Sequence, residues 1–139
     1  MVQLQPAEAV RRLIAADVAR LATASADAVP HIVAVTFAEA GGRFYIAIDH
    51  KPKASTRLTR LRNIEANPSV SLLADYYSPD WEALWWARMD GRARILEPGS
   101  APDEAVGALR AKYPQYRETA LDGPVIEIEP TRTTGWSYC

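Results

Sequence analysis

Two strand-forming stretches separated by a glycine pair decide the fold class of this chain. The first is His31-Ile-Val-Ala-Val-Thr-Phe37, the second is Phe44-Tyr-Ile-Ala-Ile48, and Gly41-Gly42 stands between them. A glycine pair between two such stretches is typical of a β-hairpin, because both central positions of the tight turn take a positive φ. Together with the preceding stretch Leu21-Ala-Thr-Ala-Ser25, they predict a three-stranded antiparallel meander.

The rest of the chain mixes helical and strand patterns. Helical spacing of apolar residues predicts three helices, over 6–18, 55–66 and 102–121, and Pro114 is expected to kink or divide the third. Ser55 is the expected N-cap residue of the second helix. Strand patterns recur at 70–74, at 84–89 and 92–96 on either side of a bulge signal, and at 125–129. Pro130 is expected to end the last strand. About six short strands and three helices favour one antiparallel α+β domain over residues 1–139, closed into a barrel that hides the strand edges.

Composition and charge exclude several classes of protein. The 139 residues carry 16 basic and 17 acidic side chains, and this balance argues against a surface built for nucleic acid. No apolar run approaches the roughly 18 residues of a membrane-spanning helix, so we expect a cytoplasmic protein without a membrane partner. The single cysteine is Cys139, and neither His31 nor His50 has further ligands at metal-binding spacing, so no metal site is expected. We expect His31 to be a surface residue.

Basic residues are concentrated in one short segment. Five of the sixteen lie within twelve positions, uninterrupted by any acid: Lys51, Lys53, Arg57, Arg60 and Arg62, hereafter the basic cluster. The cluster follows a predicted strand and covers the first turns of a predicted helix, where free N–H groups and the helix dipole favour an anion. A small phosphorylated ligand is therefore the functional hypothesis, and a solvated basic surface is the alternative.

A tryptophan group, Trp81-x-x-x-Trp85-Trp86, is the second local feature. Adjacent strand residues point to opposite faces, so only one of Trp85 and Trp86 can enter the same core. The other must meet a ligand, a second subunit or solvent. No nucleophile or acid–base pair stands out in the sequence. If the protein is an enzyme, we expect a bound cofactor to carry the chemistry.

The order of the longer motifs along the chain is informative: Pro30–Phe37, Phe44–Lys53 and Arg60–Pro68. This order resembles the pyridoxamine 5′-phosphate oxidase-like superfamily, which implies an antiparallel six-stranded split β-barrel with flanking helices. Asp49-His-Lys-Pro-Lys53 and Leu84-Trp-Trp-Ala-Arg88 are similar in particular to its actinobacterial branch of coenzyme F420-dependent oxidoreductases. The resemblance extends from about residue 8 to about residue 130, so that the tail beyond it, including Trp136, is expected to lie outside the site.

The resemblance implies a homodimer with two flavin or deazaflavin sites at the subunit interface. Carried over by position, the residues along the cofactor ring are Ile32, Val33, Ala34 and Val35, partly through their backbone, with Ile48 and Asp49 beside it. The resemblance also implies that Lys51 and Lys53, with the intervening Pro52, bind the phosphate, and that Arg57 and Arg60 bind the phosphate or an acidic tail. It further implies that Trp86 reaches the cofactor from the partner subunit. No catalytic residue is implied, because the cofactor supplies the reaction.

One departure from the family pattern bears on the cofactor. Trp86 stands where flavin-using relatives carry a glutamine, and an indole cannot make the hydrogen bonds of an amide. The C-terminal Arg/His motif of true pyridoxamine phosphate oxidases is also missing, so oxidation of vitamin B6 is not expected. The phosphate and polyglutamate of F420 match the five cations of the basic cluster. We therefore predict an F420H2-dependent reductase that transfers a hydride to an unsaturated small molecule. The alternatives are an FMN-dependent oxidoreductase of the same fold and a non-catalytic flavin- or F420-binding protein.

Overall fold

The computed structural model describes residues 2–48 and 58–139, which form three α-helices and eight β-strands. The helices are α1 (Pro6–Ala15), α2 (Thr59–Ala66) and α3 (Asp103–Lys112). The strands are β1 (Val2–Gln3), β2 (Ala19–Ala24), β3 (Pro30–Val35), β4 (Ala38–Ala40), β5 (Arg43–Ala47), β6 (Ser69–Tyr76), β7 (Trp85–Leu96) and β8 (Val125–Ser137). Short 3-10 helices lie at Trp81–Ala83 and Pro114–Arg117.

The strands form one antiparallel sheet that closes into a barrel. Its order is β3-β2-β6-β7-β8-β5-β4, and β1 pairs with the end of β8. The two end strands, β3 and β4, follow each other in the chain, joined by Thr36 and Phe37, so a bend at these residues brings the sheet ends together. The predicted antiparallel α+β split barrel is confirmed. The count of about six strands is wrong, because Val2–Gln3 and Ala38–Ala40 are too short to show a strand pattern.

The predicted meander is correct only in its first hairpin. β2 pairs with β3, whereas β5 pairs with β8 and β4. The Gly41-Gly42 turn is confirmed by φ values of 61° and 84°, but it joins β4 to β5 because β3 has already ended at the Thr36-Phe37 bend. Strand-forming residues indicate that the chain is extended, but they do not indicate where a bend ends one strand and begins the next.

Pro130 does not end the last strand. β8 continues to Ser137, and the pairing of β7 with β8 shifts register between Asp90 and Gly91, where Gly91 faces Pro130. A proline, which has no N–H to donate, is tolerated where a bulge interrupts the ladder. The backbones are close here: a Cβ on Gly91 would lie 2.6 Å from the carbonyl oxygen of Glu129. The predicted bulge signal is therefore confirmed, and it also explains why the proline fits.

Two helices differ from their predicted boundaries. α1 ends at Ala15 rather than at residue 18. α2 begins at Thr59 with Leu58 as its N-cap residue, so the expected start at Ser55 is wrong; Ser55 itself lies outside the described residues. The division expected at Pro114 is confirmed: α3 ends at Lys112 and a 3-10 helix begins with Pro114, because the proline ring removes a donor and clashes with the preceding turn.

The apolar core has two parts on opposite faces of the sheet. The main cluster fills the barrel, where Leu21 and Leu72 pack with residues of α1 and α2. The second cluster lies outside the barrel, where Tyr45 and Val125 pack against Leu109 of α3. The outward-facing side chains of β2, β3, β6, the first half of β7 and the paired end of β8 belong to neither cluster. We call this surface the open face.

A charged group supports the second cluster. Glu127 is 4% exposed, and it accepts hydrogen bonds from Arg94 Nε at 2.7 Å and from the Tyr45 hydroxyl at 2.9 Å. Burial by itself would raise the pKa of Glu127, but the hydrogen bonds from Arg94 and Tyr45 outweigh it, so the pKa is lowered overall. The stabilisation is therefore present above the ordinary carboxyl pKa and is lost as the pH falls through the lowered one.

We expect Glu127→Gln to lower the free energy of unfolding by about 1–2 kcal/mol at pH 7, because the charge-assisted hydrogen bonds are lost. The difference from the wild type should shrink from pH 7 to pH 3, because the contribution of the lowered pKa is lost as the pH falls below the ordinary carboxyl pKa. Urea unfolding at both pH values measures this. The control is Glu129→Gln, an exposed carboxylate 3.7 Å from Arg43, which should change stability by less than about 0.5 kcal/mol. An equal loss at both pH values would contradict the assignment.

Candidate functional site

β3 forms a border of the open face and has β2 as its neighbour on one side. Its side chains alternate: Ile32 (66% exposed) and Ala34 point outward, whereas Val33 and Val35 pack with the main cluster. Within residues 2–48 and 58–139 no strand pairs with the other edge of β3, so this edge presents backbone N–H and C=O groups. Two of the four predicted ring residues therefore offer side chains, and the other two offer backbone only.

The residue that precedes the basic cluster is part of the barrel wall. Ile48 is buried in the main cluster, and its N–H donates to the Pro124 carbonyl at 3.0 Å. This bond fixes the point at which the chain leaves β5. The predicted site residues Asp49, Lys51, Pro52, Lys53 and Arg57 lie outside the described residues.

A polar group at one end of the barrel was not predicted from the sequence. Asn63 of α2 is buried, and its Nδ2 donates to Thr23 Oγ1 at 3.0 Å. Thr23 is the cross-strand partner of His31, so α2 sits against the end at which β3 begins. Arg60 lies in the first turn of α2, three residues before Asn63 and therefore near it on the helix surface. The sequence feature that could have indicated this contact is Asn63 itself, a polar residue between two apolar positions of the helix.

His31 is not the surface residue that we expected. It is half-buried, and its Nδ1 is buried without a hydrogen-bond partner among residues 2–48 and 58–139. The cause is its position opposite Thr23, on the inward face of β3, next to the end that α2 covers. A buried ring nitrogen without a partner is costly, and it can serve as a donor or acceptor for a ligand.

The two adjacent tryptophans point to opposite faces, as predicted. Trp85 packs against the main cluster, with the Arg12 guanidinium 5.6 Å from its ring, whereas Trp86 lies on the open face under Arg88 at 5.9 Å. Trp86 pairs directly with Trp136 of β8. The expectation that Trp136 lies in a tail outside the site is therefore wrong; the bulge at Pro130 hides the continuation of β8 from the sequence pattern.

A single chain does not bring Trp86 together with Ile32. β2 and β6 lie between β3 and β7, and three strand spacings of about 4.8 Å place the two backbones about 14 Å apart. Between them the open face carries two ion pairs, Arg20–Asp75 at 3.1 Å and Arg88–Asp90 at 3.0 Å. A shallow groove of about 540 Å³ crosses this surface. Its lining includes Ala22, Ala24, Pro30, Ser71, Asp90 and Arg92.

The described residues contain neither a side-chain group suited to a metal ion nor a helix suited to spanning a membrane. In the part of the chain that the structure describes, no three His, Cys, Asp or Glu side chains gather in a group that could hold a metal ion. Over the same residues, no helix has the length and apolar character needed to cross a membrane.

The antiparallel barrel with an open face bordered by an exposed apolar strand defines a split-barrel protein of the α+β class. Residues 6–137 match the family model described as pyridoxamine 5′-phosphate oxidase. The chain belongs to this family. The matched range includes all of β8 and therefore Trp136. No curated protein matches the chain.

Solved structures with the same fold include proteins from several bacteria. A conserved hypothetical protein from Mycobacterium tuberculosis is 21% identical, with a TM-score of 0.75 over 96% of this chain and 85% of that one. A FAD-binding protein from Mesorhizobium loti is 23% identical, with a TM-score of 0.69 over 96% and 95%. A FAD-binding protein from Mycobacterium smegmatis is 20% identical, with a TM-score of 0.64 over 97% of each chain. Identities this low establish a shared fold only.

Proposed function

We propose that this protein is an F420H2-dependent reductase that holds the deazaflavin ring against β3 and transfers a hydride to an unsaturated small molecule. The observation that carries the proposal is the outer side of β3. Ile32 and Ala34 form an exposed apolar surface beside a strand edge with backbone polar groups. A planar ring with an apolar face and one polar edge fits this combination, because both kinds of contact are available along one strand.

Membership of the pyridoxamine 5′-phosphate oxidase family supports a redox cofactor. The names of the two FAD-binding relatives support a flavin-type ring in particular. In this assignment Ile32 and Ala34 contact the ring face, and the backbone of Val33 and Val35 contacts its polar edge. Ile48 follows β5, Asp49 follows Ile48 in the sequence, and we expect both to lie beside the ring. The unpartnered Nδ1 of His31 offers a further hydrogen bond near the start of the strand.

The basic cluster supports F420 over FMN. Arg60 lies in the first turn of α2, at the end of the barrel where β3 begins, and Lys51, Pro52, Lys53 and Arg57 precede it in the sequence. Both cofactors carry a phosphate, but F420 adds a chain of carboxylates, which gives more of these cations a partner. Trp86 also argues against a flavin, because its indole cannot make the hydrogen bonds that the amide of a glutamine makes to a flavin. FMN is the second candidate.

The protein's own part in the reaction is to bind and orient. When bound, reduced F420 supplies the hydride; the apolar Ile32 and Ala34 keep water from one face of the ring, and the cations of the basic cluster hold its charged end. In this proposal the proton that completes the reduction comes from solvent. A non-catalytic F420-binding protein would show the same binding but no turnover. Oxidation of F420H2 with a quinone as acceptor, followed by absorbance, separates the two.

We infer that a second copy of the chain covers the open face. This face carries Leu73, Trp86 and Trp136 among the ion pairs Arg20–Asp75 and Arg88–Asp90, and neither core cluster includes any of these side chains. Half-buried tryptophans among paired charges are typical of a protein interface. The 14 Å between β3 and β7 in one chain also requires Trp86 to reach a cofactor from the partner subunit, if it reaches one at all.

We expect Trp86→Ala to weaken dimerisation or F420 binding by at least about tenfold, because a large apolar contact is lost at the interface. Trp136→Ala should have a similar effect, since the two rings are cross-strand partners. The matched control is Trp81→Ala, an exposed tryptophan in the 3-10 helix before β7, which should change little. Sedimentation equilibrium and F420 titration measure both effects. A wild-type chain that is monomeric at micromolar concentration would contradict the shared site.

A further inference from the structure

We propose that Tyr113 is a positioning residue that fixes the bend between β3 and β4 and thereby sets how β3 is presented to its ligand. The bend consists of Thr36 and Phe37, which connect the two end strands of the sheet. Neither residue takes part in a strand pairing. The bend therefore depends on contacts from outside the sheet, and these come from the end of α3.

The Tyr113 hydroxyl joins three segments of the chain. It accepts a hydrogen bond from the Phe37 N–H at 3.1 Å. Two carbonyl oxygens lie within reach of its single proton, those of Asp17 at 2.8 Å and Phe37 at 3.0 Å. Burial raises the pKa of Tyr113, so the hydroxyl stays protonated at neutral pH and can always donate. One phenol thus accepts from the Phe37 N–H and shares its proton between the Phe37 carbonyl and the Asp17 carbonyl, which lies in the turn before β2.

Two neighbours of Tyr113 contact the same bend through side chains only. The Tyr116 hydroxyl lies 2.9 Å from Thr36 Oγ1. The Lys112 ammonium lies 3.7 Å from the centre of the Phe37 ring and donates to the Ile14 carbonyl at 3.2 Å. These contacts hold the side chains of the bend, whereas Tyr113 alone among the three bonds its backbone. This difference provides matched control variants.

The bend has a direct effect on β3 because that strand has β2 as its neighbour on one side only. Val35, the last residue of β3, is followed immediately by Thr36, so a change of dihedral angle at the bend moves the end of the strand. Loss of the Tyr113 hydroxyl leaves the buried N–H of Phe37 without its acceptor and frees its carbonyl. Rotation at the bend is the available response. The link from this effect to a ligand rests on the function proposed above.

Amide hydrogen exchange of the full chain without ligand tests the proposal. In Tyr113→Phe, exchange in a peptide covering 30–35 should be about tenfold faster than in the wild type, while a peptide from the centre of β7 should be unchanged. Tyr116→Phe, the same chemical change three residues away, should accelerate exchange in β3 by less than about threefold. Equal acceleration of β3 and β7 would show a merely structural role and overturn the proposal, as would unchanged exchange in β3.

Lys112→Met keeps the test decisive even if Tyr113→Phe does not fold. This variant removes the ammonium from the Phe37 ring but leaves the Tyr113 hydrogen bonds in place, so β3 should keep its slow exchange. Fast exchange would show that Lys112 holds the bend, and would overturn the proposal. In a parallel titration, Tyr113→Phe should bind F420 about fivefold more weakly than Tyr116→Phe. A wild type that binds neither F420 nor FMN would refute the proposed function, whereas the exchange results would still decide the role of Tyr113.

Discussion

Replacing Ile32 with aspartate is expected to weaken F420 binding by about a hundredfold or more. The variant loses an apolar contact worth roughly 1.5–3 kcal/mol and also places a carboxylate where the ring must lie. A hundredfold corresponds to about 2.7 kcal/mol, so the two effects together are sufficient. Folding should be little affected, because the Ile32 side chain is 66% exposed and belongs to neither core cluster. Fluorescence titration measures the affinity, and thermal unfolding without ligand measures the stability.

Val29→Asp is the matched control. Val29 is also an exposed apolar residue, at 61%, and it lies three positions away in the turn before β3. The same change in size and charge is made there, outside the strand. Its affinity for F420 should stay within about threefold of the wild type. If both variants bind equally well, or lose affinity equally, the ring does not lie along the outer side of β3.

Neutralising Lys51 and Lys53 is the second change with a large expected effect. Each lysine that holds the phosphate contributes a charge-assisted hydrogen bond of roughly 1.5–3 kcal/mol. Lys51→Ala and Lys53→Ala should each weaken F420 binding about ten- to a hundredfold. Stability without ligand should stay the same or rise, because repulsion between like charges is relieved. Arg60→Ala should act in the same direction, and more weakly if Arg60 meets only the carboxylate tail.

Salt dependence and a control residue make this prediction specific. Added salt should weaken binding to the wild type more than to the Lys51/Lys53 double variant, since screening acts on the charges that the variant lacks. Arg11→Ala is the control: Arg11 pairs with Glu8 on the exposed side of α1, and its loss should not change affinity. Should Lys51→Ala and Lys53→Ala bind F420 as tightly as Arg11→Ala does, the basic cluster is a solvated surface.

The sequence pattern identifies elements of this fold better than their connections. The alternation in 31–37 and 44–48 predicts extended chain, and the Gly41-Gly42 pair predicts a turn. The bend at Thr36-Phe37 is contacted by Tyr113 and Tyr116, about eighty residues away in the sequence, so no local pattern reveals it. Likewise, Pro130 taken alone predicts the end of a strand, and only its pairing with Gly91 on β7 shows that a bulge accommodates it.

Some features of the candidate site could likewise be predicted from the sequence, and others could not. The outward positions Ile32 and Ala34 follow from strand alternation and from the family resemblance. The half-buried state of His31 and its proximity to Asn63 depend on where α2 packs, which is a tertiary contact. The expectation that Trp136 lies in a tail is wrong because β8 continues through the proline bulge and pairs Trp136 with Trp86, which no local pattern shows. Burial and partners come from packing between distant segments, and a single sequence does not record them.

Parallel equilibrium titrations of the purified protein with F420 and with FMN, followed by ligand fluorescence, test the central claim most directly. We expect saturable binding of F420 with one site per chain, and FMN binding at least about tenfold weaker, equivalent to about 1.4 kcal/mol. The same titrations on Ile32→Asp show whether the bound ring lies on β3. Two results would contradict this claim: an Ile32→Asp variant that binds F420 as tightly as the wild type does, or a wild type that binds FMN more tightly than F420.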